Sequence, residues 1–380
     1  MPTRTLIVLG TRPEAIKLAP VIREALGHKC IEPIVCSTGQ HREMLAQVLD
    51  YFGISPDINL DVMRPNQTLS GLTSRLIEQL QSVVDTSQPD CIVAQGDTTS
   101  VMTAAMVAFY NRLPLVHVEA GLRTGDFNAP WPEEYNRRVA GLTAAMHCAP
   151  TQTSADNLLR EGVNPGTVHV TGNTVIDALL WTRDRERANA AQWEEKYAFL
   201  EDRRLVLITG HRRENFGAGF RSVLNALADL AQSFPETQFL YPVHLNPNVQ
   251  KPVHELLGSI ENIRLTNPAC YPEFIWLMDR ATLIVTDSGG VQEEAPSLGK
   301  PVLVTRTVTE RPEAVATGAV QLVGTDYGFI VSEVTKLLTD SVAYAARQIQ
   351  QNPYGDGQAA RRTVGLIAAQ SWEQAALRAA

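Results

Sequence analysis

Residues 205–214 read LVLITGHRRE, and residues 6–14, about 200 positions earlier, read LIVLGTRPE. Each is a run of branched apolar residues stopped by a glycine, followed by basic residues and a glutamate where a helical pattern takes over. A short, continuous apolar run of this kind suits a strand buried on both faces of a parallel sheet. Two such openings, each followed by further strand-then-helix alternations, predict two doubly wound α/β domains. Ligands in such folds collect beyond the carboxyl ends of the strands, so the polar residues at strand ends carry the functional reading.

In the first half, apolar runs predict strands at 5–9, 31–37, 91–94, 115–118, 146–149 and 168–171. Helical patterns run from Pro13 through Ala25, from Gln40 and His41 onward, over 68–84, from beyond Asp97 through Phe109, from Glu133, from Ser154 and, at length, after Asn173. Strands in the second half fit at 205–209, 239–243, 262–265, 283–286 and 302–304. Residues 183–204 are rich in charge and alanine and lack a strand signal, so 171–173 and the helix after them mark the crossover between domains.

Residues 115–138, LVHVEAGLRTGDFNAPWPEEYNRR, form a strand, a loop and a helix entry. Glu119 falls at the end of that strand, Glu133 and Glu134 fall in the first turn of the helix, and Arg123, Arg137 and Arg138 supply cations. The plainer reading of this turn is helix-dipole complementation followed by a solvated basic face. Asp97, after the strand at 91–94, occupies the same kind of place as Glu119, with a plain N-cap as its alternative role. Arg12 and Lys17 lie near the start of the first helix, where backbone N–H groups favour anions. In the second half, Ser288, Gly289 and Gly290 stand at a strand-to-helix turn where a ligand can approach the backbone. Glu294, a turn further on, can accept hydrogen bonds from adjacent ribose hydroxyls; the alternative there is a capped helix with a tight turn.

With 380 residues, 44% hydrophobic and 19% charged, the chain has the length and composition of two globular domains. A net charge of −8 argues against generic nucleic-acid binding, and no apolar run reaches bilayer length. The N-terminus passes from MPTR into a strand without the pattern of a signal peptide, so a cytoplasmic location is expected. Five cysteines without CxxC spacing are read as buried thiols rather than disulfides or a zinc site. Neither GxGxxG nor GxxxxGK[ST] occurs, so a nicotinamide, flavin or ATP-hydrolysis reading has no support. His117 and Glu119 form an HxE without further ligands at metal spacing, and no metal is expected.

Taken jointly and in order, GTRPEAIKLAP (10–20), QHREML (40–45), GDTTS (96–100), HVEAGLRTGD (117–126), PWPEEYNRR (130–138), TGNTVIDAL (171–179), TGHRREN (209–215), YPVHLNPNV (241–249), DSGGVQEEAPSLGKPVL (287–303) and TERPEA (309–314) closely resemble the non-hydrolysing UDP-N-acetylglucosamine 2-epimerases. The resemblance covers nearly the whole chain and implies the GT-B architecture, two Rossmann-like domains with a cleft between them. The N-terminal domain is expected over 1–170, joined by a last helix at about 358–380, and a UDP-binding domain over 171–357. The family interconverts UDP-N-acetylglucosamine and UDP-N-acetylmannosamine without a redox cofactor, so no cofactor, nucleic acid or membrane partner is expected, and a homodimer is.

The C2 proton of the sugar is not acidic, so its removal is feasible only if UDP leaves from C1, giving 2-acetamidoglucal; re-addition with protonation from the other face inverts C2. Two faces need two acid/base groups. The resemblance implies that these are among Asp97, Glu119 and Glu133, with His211 joining the catalytic group at the diphosphate. It further implies Arg12, Lys17 and Arg137 for the sugar-diphosphate, Ser288, Gly289 and Gly290 for phosphate, Glu294 for ribose, Phe274 near the uracil, and Arg311. Two stretches depart from the family: residues 268–271 (PACY) stand where members often carry Gln or Leu near the uracil pocket. Asn66 stands where members that bind a second substrate molecule as activator carry a basic residue. The other classes compatible with these residues are a hydrolysing 2-epimerase, a GT-B glycosyltransferase using a UDP-sugar, and a non-catalytic UDP-sugar sensor.

Overall fold

The computed structural model describes residues 1–39, 42–64, 66–200, 202–212 and 215–372, with the backbone alone at 42–44. Gln40 and His41, where a helix start is expected, and Arg213 and Glu214 of the repeated opening lie outside the described residues. The chain forms two compact units, Met1–Ala178 with the segment from Gly355 onward, and Leu179–Tyr354.

The first unit alternates strand and helix from its start: β1 (Thr3–Leu9), α1 (Arg12–Leu26), β2 (Ile31–Ser37), α2 (Arg42–Tyr51), β3 (Ile58–Asn59), α3 (Leu69–Ser87), β4 (Cys91–Gln95) and α4 (Thr99–Tyr110). It continues with β5 (Leu115–Val118), α5 (Glu133–Thr143), β6 (Ala144–Ala149), α6 (Gln152–Arg160), β7 (Val168–Val170) and α7 (Thr174–Ala188), inside which the chain passes to the second unit. All seven strands are parallel, in the order β3-β2-β1-β4-β5-β6-β7. Leu6, Val8, Ile92, Ala94 and Leu115 join Val101, Ala105 and Val107 of α4 in one buried cluster, which is why these runs are apolar throughout instead of alternating.

The second unit repeats the plan with α8 (Ala190–Lys196), β8 (Arg204–Thr209), α9 (Ala218–Ser233), β9 (Thr237–Pro242), α10 (Pro247–Leu257), β10 (Ile263–Thr266) and α11 (Tyr271–Arg280). It closes with β11 (Leu283–Thr286), α12 (Gly289–Glu294), β12 (Val302–Val304), α13 (Pro312–Ala316), β13 (Val320–Leu322), α14 (Tyr327–Thr339) and α15 (Ser341–Ala345). Its six strands are also parallel, ordered β10-β9-β8-β11-β12-β13. Two doubly wound parallel units in one chain are the components of the GT-B architecture. The chain order reverses between β1 and β4 in one sheet and between β8 and β11 in the other, so the loops leaving those strands diverge and open a crevice at their carboxyl ends.

Of the C-terminal helix expected over about 358–380, residues 373–380 lie outside the described residues; α16 (Ala359–Ala369) belongs to the first unit and packs on α1. Its first N–H groups, those of Ala359 and Ala360, donate to the Asp177 carboxylate on α7 at 3.2 and 2.8 Å. This side chain from another helix does the work of a cap, because Gln358 at the N-cap makes no side-chain bond of its own. Burial pushes the Asp177 carboxyl up to about 6, against those two donors.

Several local features differ from the sequence reading. The α4 cap is Thr98, whose hydroxyl accepts from the Val101 N–H; Asp97 does not cap the helix and meets Arg137 instead. The short strands β3 and β13 carry too few residues for a periodic signal. Cys36, Cys91 and Cys148 are buried free thiols, but Cys30 and Cys270 are exposed, because one lies in the turn before β2 and the other just ahead of α11.

Gly121, three residues past the end of β5, has φ +90°, and a Cβ there would stand 2.2 Å from the Ser154 carbonyl oxygen. Gly121→Ala therefore combines left-handed strain with a backbone clash, and a loss of about 3 kcal/mol is expected in urea unfolding of this unit. An unchanged midpoint would show that the loop is not held against α6.

Candidate active site

After β1, Thr11 and Glu14 form a capping box for α1: the Thr11 hydroxyl accepts from the Glu14 N–H, and the Glu14 carboxylate accepts from the N–H groups of Gly10 and Thr11 at 3.0 and 2.6 Å. The other Glu14 oxygen accepts from the Thr98 hydroxyl at 2.7 Å, so one buried carboxylate ties the loop after β1 to the loop after β4. Burial raises the Glu14 pKa against these bonds. Arg12, the first residue of α1, is exposed, and Lys17, a turn and a half further along, turns inward to the Glu119 carboxylate, with Nζ 2.5 Å from Oε1.

Glu119 is the best anchored of the expected site residues. It leaves β5 with φ +60°, a left-handed conformation that a non-glycine residue holds only at a cost and that the surroundings must enforce. Besides Lys17, its carboxylate accepts from the side-chain amides of Gln95, the last residue of β4, and of Asn173, at 3.1 Å, just ahead of α7. Gln95 and Asn173 are both buried. His117, two residues earlier, turns its Nε2 to the Gly96 carbonyl at 2.7 Å.

Asp97 pairs with Arg137 of α5, and the Asn136 amide holds its backbone carbonyl at 2.9 Å. Its side chain keeps 27% of its surface exposed. Burial nevertheless pushes the Asp97 carboxyl up, Arg137 opposes that shift, and the neighbouring Glu119 charge adds to it. The first turn of α5 divides its two glutamates between two roles. Glu134, fully buried, binds Arg137 and Arg138 at 3.4 and 3.2 Å and accepts from the Thr124 N–H at 3.2 Å, which makes it the structural residue of the pair. Glu133, the first helical residue, is half-buried and joins neither the Lys17–Glu119 pair nor the Arg137–Asp97 pair. Asp97, Glu119, Lys17 and Arg137 thus form one electrostatic group at the ends of adjacent strands β4 and β5, with Arg12 and Glu133 on its flanking helices.

In the second unit, Asp287 after β11 organises the loop after β8. Its Oδ2 accepts from the N–H groups of His211 and Arg212, both at 2.8 Å, while Oδ1 lies 3.6 Å from His211 Nδ1. The His211 imidazole, 46% exposed, stacks on His244 with ring centroids 5.2 Å apart. Burial lowers the His211 pKa and the Asp287 carboxylate opposes it. Tyr241 Oη donates to the Gly210 carbonyl at 2.8 Å, closing the same loop from β9.

Ser288 precedes α12, and Gly289 and Gly290 are its first residues. Arg311 lies across this turn: a Cβ on Gly289 would stand 2.8 Å from its guanidinium carbon, so any larger residue there would displace the cation. Arg311 is held there by Glu293 at 2.8 Å and Glu310 at 3.2 Å. Glu294 ends α12 with its carboxylate 3.6 Å from the Cβ position of Gly290, so Ser288, Gly289, Gly290, Glu294 and Arg311 are brought together. Phe274 stands half-buried in the first turn of α11 and makes no ring contact with that group among the described residues.

Residues 24–368 match the family model described as UDP-N-acetylglucosamine 2-epimerase. The chain belongs to the UDP-N-acetylglucosamine 2-epimerase family. A UDP-N-acetylglucosamine 2-epimerase of Yersinia pestis is 54% identical over 371 residues, covering 96% of this chain and 98% of that one. The Escherichia coli K12 protein of the same name is 52% identical over 368 residues, with 96% and 98% covered. Among solved structures, the 2-epimerase of Neisseria meningitidis bound to UDP-GlcNAc superposes with a TM-score of 0.90 at 46% identity, over 97% of this chain and 100% of that one. Gln95, Asn173 and Asp287 hold residues of the candidate site and are given no role by sequence reasoning. The signals available for them are position alone: Gln95 closes a strand, and Asn173 sits in the turn TGNT before a helix.

Proposed function

We propose that the protein interconverts UDP-N-acetylglucosamine and UDP-N-acetylmannosamine without hydrolysis. A carboxylate takes the C2 proton as the C1–O bond breaks, the electron pair leaves with UDP, and a C1–C2 double bond forms in 2-acetamidoglucal. The diphosphate oxygen then adds back to C1 while a second acid protonates C2 on the opposite face. The observation that carries this reading is the placement of Asp97 and Glu119 at the ends of two neighbouring parallel strands, each against its own cation, Arg137 and Lys17. Two acid/base groups of different environment are what inversion at one carbon demands. The relatives' names and the UDP-GlcNAc held by the Neisseria protein support the choice of substrate.

In this reading Glu133 borders the same reacting carbon, Arg12 and His211 meet the departing diphosphate, and Ser288, Gly289 and Gly290 with Arg311 hold phosphate oxygens. Glu294 binds the ribose and Phe274 lies beside the uracil. The protein works in the cytoplasm as a homodimer. Glu294→Ala is expected to weaken UDP binding by about 1.5–3 kcal/mol, the worth of a hydrogen bond to a charged group, with C2 chemistry intact once UDP-sugar saturates. Calorimetry with UDP checks this; full affinity with abolished turnover contradicts the ribose role. Incubating the enzyme with UDP-N-acetylglucosamine alone and following sugar and phosphorus signals by NMR tests the reaction itself. A mixture of two UDP-sugars is expected, whereas accumulating free N-acetylmannosamine and UDP would point to the hydrolysing reaction.

A further inference from the structure

Glu119 is surrounded by donors rather than by solvent. Lys17 of α1 and Asn173 share Oε1, at 2.5 and 3.1 Å, while Gln95 of β4 holds Oε2. The carboxylate is 5% exposed as a side chain, and the residue carries φ +60°. An ionised carboxylate accepts all of these bonds at once, and both amides are themselves buried. Asn173 is fixed from its other end, since its Oδ1 accepts from the Val175 N–H at 3.1 Å at the start of α7. The amide therefore has one orientation: oxygen to the helix, nitrogen to Glu119.

We propose that Gln95 and Asn173 are positioning residues of the epimerisation, which hold the Glu119 carboxylate in one orientation and as an anion opposite Lys17. The inference rests on the reaction proposed above. Among the described residues, the charged and titratable groups facing Glu119 include Lys17 from α1, Asp97 from the loop after β4, itself paired with Arg137 of α5, and His117 from its own strand. Lys17 fixes one oxygen from one side; the two amides approach from β4 and from the start of α7, and with them both oxygens are held. Nothing in the motif resemblance assigns either amide a role.

Asn173→Asp and Gln95→Glu test the idea with near-isosteric changes. The Asn173→Asp variant retains the oxygen that caps α7 and loses only the donor to Glu119. Each variant places a second carboxyl against Glu119, and the pair then shares a proton. Turnover is expected to fall about 10- to 100-fold, the scale of a misplaced reacting group. The KM for UDP-N-acetylglucosamine and the Kd for UDP should stay within about 2-fold, because no binding group is removed. The acidic limb of kcat should move to higher pH by roughly 1 unit. Carboxyl NMR of glutamate-labelled protein, with the Glu119 signal identified by Glu119→Gln, should show the same upward move in each variant without any substrate present. An unmoved Glu119 titration together with wild-type kcat overturns the proposal, and so does a loss confined to thermal stability with the pH profile unchanged. Failure of the wild type to make UDP-N-acetylmannosamine sinks the reaction instead, and the Glu119 titration still reads the positioning role.

Discussion

Replacing Asp97 by asparagine is expected to lower turnover about 100-fold or more, the usual scale of general acid–base catalysis. Asparagine keeps the shape of the side chain and an oxygen for Arg137, and the Asn136 bond to the backbone carbonyl of residue 97 is untouched. What disappears is the ability to carry a proton. Asp97 is suited to that task because burial pushes its pKa up from the ordinary carboxylate value, with the Arg137 guanidinium limiting the rise. A carboxyl held in that way exchanges protons nearer neutrality than a solvated one. UDP affinity should be nearly unchanged, and slow leakage of UDP and 2-acetamidoglucal is expected where elimination outlives re-addition. Steady-state kinetics with both UDP-sugars checks this. Turnover within about 3-fold of wild type removes Asp97 from the chemistry.

The second large effect concerns pH and stability. His117 and His147 lie opposite each other on β5 and β6, both buried, and burial lowers each to about 4. Unfolded, they would titrate near 6.5. As pH falls below that value the unfolded chain binds protons that the folded chain refuses, so stability drops by up to about 1.4 kcal/mol per pH unit for each histidine until the folded form also protonates near pH 4. Between pH 6.5 and 5 the two together should cost about 3 kcal/mol. Glu14 and Asp177 act in the opposite direction, since their raised pKa values let the folded state bind protons first. A comparison with His147→Gln isolates the histidine contribution. In urea unfolding, the variant should lose stability on acidification less steeply than wild type, by about 1 kcal/mol per unit. Parallel curves would mean that His147 is not held neutral.

Much of this architecture is legible in the chain because the strands of both sheets are buried on two faces. Continuous apolar runs at 205–209, 283–286 and 302–304 have no other easy reading, and the structure places strands there. The start of α5 at Glu133 is likewise marked by Pro130 and Pro132 ahead of it. The partners of the site residues are not legible. Glu119 meets Gln95 and Asn173 across 24 and 54 positions, and such contacts depend on register between β4 and β5 and on where α7 begins, neither of which has a local period. Asp97 illustrates a nearer ambiguity: Asp97 and Thr98 are both good caps, and only the backbone geometry at Thr98 decides that the hydroxyl does the capping and the carboxylate is free to meet Arg137. Glu133 and Glu134 pose the same problem, because adjacent helical residues point about 100° apart, and the side that is buried depends on how α5 packs.

In the proposed reaction C2 loses and regains a proton during epimerisation, through groups that exchange with water. Running the reaction in deuterium oxide from UDP-N-acetylglucosamine and reading C2 of the UDP-N-acetylmannosamine by NMR tests it most directly. Deuterium at C2 of the product is the expected result; an epimerised product carrying only the original hydrogen there would rule out proton exchange at C2.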